Sequence, residues 1–224
     1  MAVINPDADW TKNRLEAMSD GVFAIAMTLL VLEIRMPEGL SRTSTNEDVL
    51  RAVFHIWPEF VAYLISFILL GAMWMGHHNV FHSLKKVDRA TIWLNLNYLL
   101  WVCLMPFSTN LYSKHMSTQT GVMAYWLNVF LAGASMALLW SYVRRRDELE
   151  SDEMTPILKS NIGTRVWIMP SVGLGGVLLT IAGANLGVFA TWILPVAYGV
   201  AGMVTKKRMR NATRAEREFQ QEGT

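Results

Sequence analysis

The sequence predicts an all-α integral membrane protein that crosses the bilayer six times. Of its 224 residues, 52% are hydrophobic and 17% are charged, whereas about 25% of the residues in soluble domains are charged. The apolar residues come in blocks that are separated by charged connections, and several blocks approach the roughly 20 residues that a helix needs to cross a bilayer. The one cysteine, Cys103, argues against a secreted disulfide scaffold.

Six segments are expected to span the membrane, and together they form one domain over residues 1–210. The predicted spans are residues 12–35, 56–82, 90–112, 121–144, 164–183 and 187–205. The first is long enough only when the polar residues 14–20 belong to the same helix as the apolar residues 21–32. Residues 183–187 are typical of a tight turn, so the last two spans should form a helical hairpin. Residues 206–224 form a basic tail that anionic lipid would attract.

The distribution of Lys and Arg predicts that both termini are cytoplasmic. With this orientation, sixteen of the twenty Lys and Arg residues fall in cytoplasmic segments, as the positive-inside rule requires. The exceptions are Arg35, Arg42, Arg51 and Lys114. An even number of spans gives this alternation, and one span more or fewer would destroy it.

The first predicted helix carries an apolar stripe on one side and an acidic residue on the other. At about 100° per residue, Leu29 and Leu32 fall within about 40° of Ile25, and Thr28 flanks them at about 60°. Asp20 falls about 140° away from Ile25. Because an ionisable residue inside a bilayer usually faces protein or water, we expect Asp20 to face another helix. From the pattern alone, an amphipathic helix whose apolar stripe packs in the core is an open alternative.

Residues 14–30 resemble the first-helix signature of a potassium-channel family. This family contains the lysosomal channel transmembrane protein 175 and its bacterial relatives, and its signature is an arginine, three residues and then Phe-Ser-Asp-Gly. Here Arg14 is followed by Met18, Ser19, Asp20 and Gly21, so methionine replaces phenylalanine. Residues 74–81 (Trp-Met-Gly-His-His-Asn-Val-Phe) resemble the end of the family's second helix, and residues 95–109 resemble its third.

The resemblance implies a potassium-selective channel that assembles as a homotetramer, with the first helix of each subunit lining a central pore. It places the pore constriction on Ile25, Leu29 and Leu32, the same stripe that the helical periodicity selects. Thr28 is then expected to contact a partly dehydrated potassium ion. The resemblance also implies that selectivity arises without a carbonyl filter loop, and the sequence agrees with this, since it contains no Thr-Val-Gly-Tyr-Gly. We expect a bacterial inner-membrane protein that contacts lipids and uses neither a cofactor nor nucleic acid.

Further polar residues of these motifs are expected to form a structural network. One histidine, His77 in preference to His78, should hydrogen-bond the Ser19/Asp20 region and thereby fix the first helix to the second. The residues assigned to this network are Arg14, Ser19, Asp20, Gly21, His77, His78, Asn95 and Asn97. No metal site is expected, because the two adjacent histidines point about 100° apart and form no usual zinc spacing.

A proton-coupled secondary transporter with Asp20 and His77 as its titrating pair is the alternative function. Transporters often contain repeated halves, but residues 12–112 show no similarity to residues 113–210. An enzyme is not expected, because the sequence has neither His-Glu-x-x-His nor paired intramembrane aspartates.

Overall fold

The computed structural model describes residues 12–35, 40–41, 43–151 and 154–191. Within these ranges the secondary structure is helical, with one isolated β-bridge between two connections. The helices are α1 (Lys12–Leu32), α2 (Asn46–His55), α3 (Trp57–His82), α4 (Arg89–Cys103), α5 (Met105–Lys114), α6 (Gln119–Val143) and α7 (Pro156–Ala182). Residues 184–191 begin a further helix.

Five segments of the described chain are long and apolar enough to cross a membrane. They are α1, α3, the continuous pair α4–α5, α6 and α7. The protein is therefore an all-α, multi-pass membrane protein, as the sequence predicts. The sixth predicted span, 187–205, lies outside the described residues from position 192 onward, as does the predicted basic tail 206–224.

Helix α2 lies in the connection between the first two spans, where the sequence analysis predicts no element. It begins with a capping box: Thr45 Oγ1 accepts a hydrogen bond from the Asp48 backbone N–H, and the Asp48 carboxylate accepts one from the Thr45 backbone N–H. The hydrogen bonds from Thr45 lower the pKa of Asp48. No residue of α2 is buried, so the helix is held by local bonds rather than by the core.

Helix α7 begins eight residues before the predicted start of its span. Thr155 caps its first turn, because its hydroxyl accepts the Leu158 backbone N–H at 3.3 Å, and Pro156 occupies a first-turn position that needs no N–H donor. Lys159 and Arg165, which the orientation argument counts in a cytoplasmic connection, are consequently helical residues of α7.

Helix α6 is the centre of the bundle. Within the most apolar 18-residue stretch of α6, 61% of the residues are buried, whereas in the corresponding stretch of α1 the buried share is 28%. Trp126 and Trp140 of α6 are completely buried. Gly133 lets α7 approach closely, since a Cβ at this position would lie 2.5 Å from the backbone nitrogen of Pro170. Helix α1, by contrast, packs on α3, α4 and α5 with one side only.

The connections at the two ends of the bundle show how the helices alternate. At one end, Lys12 Nζ donates to the Leu84 carbonyl at 2.8 Å, and Leu84 forms the isolated bridge with Glu150 of the α6–α7 connection. The start of α1, the end of α3, the end of α6 and the start of α7 therefore share this end. At the opposite end, Asn110 Nδ2 donates to the Glu33 carboxylate at 2.6 Å.

Asp88 caps α4 at the same end as Lys12. Its carboxylate accepts hydrogen bonds from the Thr91 N–H at 2.7 Å, the Thr91 hydroxyl at 2.6 Å and the Tyr142 hydroxyl at 2.5 Å. Burial alone would raise the pKa of Asp88, but the hydrogen bonds from Thr91 and Tyr142 outweigh it, and the pKa lies below its ordinary value. The cap is therefore strongest while the carboxylate is ionised.

Candidate pore helix and its polar anchor

Helix α1 has a packed face and an uncovered face. The packed face consists of residues that recur every three or four positions: Leu15, Ser19, Phe23, Ala26 and Leu30, all of them buried. The uncovered face contains the predicted constriction residues, which we call the pore stripe: Ile25 is 61% exposed, Leu29 42% and Leu32 68%. The core of the subunit does not cover the stripe, so the packing alternative considered for this sequence pattern does not hold within one chain.

Thr28 lies beside the pore stripe and is also exposed. Its hydroxyl donates to the Ile25 carbonyl at 2.8 Å. The hydroxyl proton is therefore used in a hydrogen bond within the helix. The hydroxyl oxygen retains its acceptor capacity and can accept a hydrogen bond from water or coordinate a cation.

Three buried side chains form a hydrogen-bonded chain from α1 through α4 to α3, which we call the polar anchor. Asn95 Nδ2 donates to Ser19 Oγ at 3.0 Å, and Asn95 Oδ1 lies 2.8 Å from His77 Nε2. Ser19 in turn donates to the Leu15 carbonyl at 2.8 Å. With the amide in this orientation, His77 Nε2 carries the proton and donates. Ser19 and Asn95 are 0% exposed and His77 is 1% exposed.

Aromatic rings enclose the His77 end of the polar anchor. The imidazole stacks on Phe81 with ring centroids 4.2 Å apart and lies parallel to the Tyr98 ring at 5.8 Å. Phe23 of α1 approaches it at 6.0 Å in a tilted arrangement. Tyr98 is itself tied to α3, because its hydroxyl donates to the Met73 carbonyl at 3.1 Å. The packed face of α1 therefore contacts a buried, aromatic-rich surface.

Asp20 reaches α3 by a separate contact. Its Oδ1 accepts a hydrogen bond from Trp74 Nε1 at 2.8 Å, so it faces another helix as expected, although it stays exposed. His78 stacks on Trp74, with ring centroids 5.9 Å apart. His77 bonds Asn95 instead. Asp20 and His77 thus have different hydrogen-bond partners, and this does not favour the shared titrating pair of the transporter alternative.

Several residues assigned to the network lie elsewhere. Asn97 donates to Ser135 of α6 at 2.8 Å, because two residues along a helix turn a side chain by about 200° away from Asn95. Arg14 and Gly21 are exposed on α1. In the described part of the chain, no three His, Cys, Asp or Glu side chains converge in a way that could hold a metal ion.

Comparison with known proteins assigns this arrangement to a family. The sequence profile described as the endosomal/lysosomal potassium channel TMEM175 matches residues 14–106. A potassium channel of Chamaesiphon minutus is 36% identical over 140 residues, which make up 61% of this chain and 68% of that relative. The chain belongs to the TMEM175 family. This is a family of channels and not of enzymes.

Two further TMEM175 relatives extend the comparison. A potassium channel of a Chryseobacterium species is 38% identical over 135 residues, which cover 60% of this chain and 66% of that relative. The present structure also aligns with a crystal structure of a lysosomal potassium-selective channel TMEM175 homologue from Chamaesiphon minutus, with a TM-score of 0.71 and 26% sequence identity. The alignment covers 84% of this chain and 96% of that chain.

The TMEM175 profile contains the pore stripe and the polar anchor, but α6 and α7 lie beyond it.

Sequence reasoning missed Trp74 as the partner of Asp20, although Trp74 stands in the second motif. It also missed a buried hydroxyl cluster, in which Thr109 donates to Ser66 at 2.9 Å and Ser66 donates to Tyr125 at 3.4 Å. The available signal was a set of polar residues inside apolar spans, which a bilayer tolerates only when they are paired.

Proposed function

We propose that this protein is a potassium-selective channel, assembled as a homotetramer whose four α1 helices surround the pore. The observation that carries the proposal is the division of α1 into an anchored, buried face and an uncovered stripe of Ile25, Leu29 and Leu32. The naming of the bacterial relatives as potassium channels supports the choice of ion.

The uncovered stripe has the chemistry of a hydrophobic gate. At 1.5 Å per residue, rings of Ile25, Leu29 and Leu32 would lie about 6 Å and then about 4.5 Å apart along the axis. Methyl groups cannot replace the hydration shell of a potassium ion, so a narrow apolar ring excludes water and blocks conduction. Opening then requires the rings to widen, which also exposes the Thr28 hydroxyl level to the ion.

The arrangement in the cell follows from the charge at the two ends of the bundle. We place the end that holds Lys12, Lys85, Lys86 and Arg144 on the cytoplasmic side of a bacterial inner membrane, according to the positive-inside rule. Both termini are then cytoplasmic, and lipids cover the apolar residues that face outward from the assembled bundle. Potassium is the permeant ion, and the mechanism requires no cofactor.

The proposal is tested by recording the purified protein in planar bilayers with potassium on one side and sodium on the other. Ile25→Asn should hold water in the innermost ring, raise basal conductance severalfold and lower the potassium-to-sodium permeability ratio. The matched control is Ile68→Asn, which changes an isoleucine that is 50% exposed but lies on α3 instead of the proposed pore helix. If Ile68→Asn alters permeation and Ile25→Asn does not, α1 is not the helix that lines the pore and the proposal is wrong.

The same recordings distinguish a channel from a transporter. A channel gives unitary currents whose reversal potential reports the potassium-to-sodium permeability ratio. Flux that shows no unitary events and follows an imposed proton gradient would instead support the transporter alternative, and its loss in Asp20→Asn and His77→Gln would identify the titrating groups.

A further inference from the structure

A cavity of about 420 Å³ lies between α3, α4, α6 and α7, and none of its described lining residues belongs to α1. Its volume falls within the roughly 300–1,000 Å³ of small-molecule sites. Along α7 its lining runs from Leu158 to Met169, a distance of about 16 Å at 1.5 Å per residue. The cavity is therefore long and narrow and follows the helix axes.

The cavity has a polar end and an apolar end. Near the Lys12 end of the bundle it is lined by His82, Ser83, Ser151 and Asn161. Toward the centre of the spans the lining becomes apolar and rich in thioethers, which adapt to flexible chains; the methionines there are Met73, Met75, Met136 and Met169. The change in polarity along the cavity matches that of an amphiphile whose polar head lies toward the end of the bundle and whose apolar chain lies toward the membrane centre.

Arg165 and Asn161 are lining residues of the cavity that carry unpartnered donor atoms. The Nε atom of Arg165 and the Nδ2 atom of Asn161 are buried and have no hydrogen-bond partner. The two residues are four positions apart on α7, so their side chains are neighbours on one face. Among the described lining residues, Arg165 is the one Lys or Arg, and none is Asp or Glu. Buried donors without acceptors require an explanation, and an intramembrane arginine commonly marks a functional site.

We propose that this cavity binds an anionic phospholipid of the bilayer. The phosphodiester group pairs with the guanidinium of Arg165, and one acyl chain occupies the methionine-lined end. Such a ligand supplies a negative charge opposite Arg165, which no described lining residue supplies, and it fills the apolar part of the cavity, which water alone would not do favourably. The inference does not rest on the proposed ion conduction.

The test measures lipid retention by the purified wild-type protein. The protein is exchanged into micelles doped with phosphatidylglycerol, phosphatidylcholine or glycerol phosphate, and bound molecules are counted by native mass spectrometry. We expect retention of phosphatidylglycerol, about tenfold weaker retention of phosphatidylcholine, and none of glycerol phosphate, which has the anionic head but no chain. Retention of glycerol phosphate would point to a simple anion site, and equal retention of both lipids would overturn the charge argument.

Two variants assign the retained lipid to this cavity. Arg165→Gln should weaken retention of phosphatidylglycerol at least about tenfold, as expected for losing a hydrogen bond to a charged group. Arg145→Gln, which removes an exposed arginine at the same end, is the matched control and should retain the lipid. Gly76→Leu should also abolish retention, because Gly76 lines the cavity and a Cβ there meets no atom within 4 Å.

The second variant keeps the test decisive if Arg165→Gln fails to fold. Gly76→Leu fills the cavity without removing a charge, and leucine has the higher helix propensity. If a folded Gly76→Leu protein retains phosphatidylglycerol as the wild type does, the lipid is bound elsewhere and the proposal is wrong. A high-resolution structure in phosphatidylglycerol nanodiscs that shows only ordered water beside Arg165 would overturn it equally.

Discussion

The polar anchor can be tested by replacing its central and terminal members one at a time and then together. Asn95→Leu removes the acceptor of His77 and leaves the imidazole N–H buried without a partner. Ser19 still donates to the Leu15 carbonyl, so its loss is smaller. A buried donor without a partner costs about 1–3 kcal/mol, and we expect Asn95→Leu to lower the free energy of unfolding of each subunit by that amount.

The double variant separates the hydrogen bond from the effects of size. His77→Phe alone leaves Asn95 Oδ1 without its donor and should also cost about 1–3 kcal/mol. Replacing both partners with apolar side chains leaves neither group unsatisfied, so His77→Phe/Asn95→Leu should cost less than the sum of the two single changes. We expect a coupling of about 0.5–3 kcal/mol, the range found for residues in direct contact.

The assay is reversible unfolding in mixed micelles with increasing dodecyl sulfate, followed by tryptophan fluorescence. Asn97→Leu provides the matched control, because Asn97 is on the same helix but bonds Ser135 instead of His77. Its effect should add to that of His77→Phe within about 0.5 kcal/mol. Additive effects for His77 and Asn95 would refute the view that these side chains act as one buried unit, and would move the anchoring of α1 to its apolar contacts.

Three further predictions concern helix contacts outside the polar anchor. Gly133→Ala should destabilise the protein by about 1–3 kcal/mol, because the new Cβ would collide with α7 backbone, whereas Gly175→Ala, which meets no atom within 4 Å, should be neutral in the same unfolding assay. Asp88→Asn should lower the free energy of unfolding most at pH 7. Since the native pKa is depressed, the stabilisation by the carboxylate exists above the unfolded-state pKa and disappears as pH falls through the native one, so wild type and variant should converge only once the pH is below the native pKa. Trp74→Phe and Asp20→Ala should each reduce the yield of the proposed tetramer on size-exclusion chromatography, because each removes the hydrogen bond between α1 and α3; an Asp20→Ala protein that assembles normally and alters only ion selectivity would contradict the structural role of Asp20.

Much of the membrane topology could be read from local patterns. A span depends on the apolar content of about 20 consecutive residues, so α3 and α6 lie close to their predicted bounds. Helix α2 was missed because its ten residues are held by a capping box and bury nothing, which leaves no long apolar pattern to detect. The start of α7 was placed too late because Lys159 and Arg165 interrupt its hydropathy, although Thr155 and Pro156 carry the signal of a helix start.

Composition and the helical period are local properties of the chain, and they suffice to predict the class of protein, the up-and-down order of the spans and the face of α1 that carries Ile25, Leu29 and Leu32. The contacts between helices could not be predicted in this way: Asn95 joins Ser19 to His77, Asp20 contacts Trp74, and Arg165 lines a cavity. Ser19 and Asn95 are 76 positions apart in the chain, and no period along one helix specifies which neighbouring helix its polar side chains will meet. That choice follows from how α1, α3 and α4 pack, since each buried polar group must find a partner in the assembled bundle.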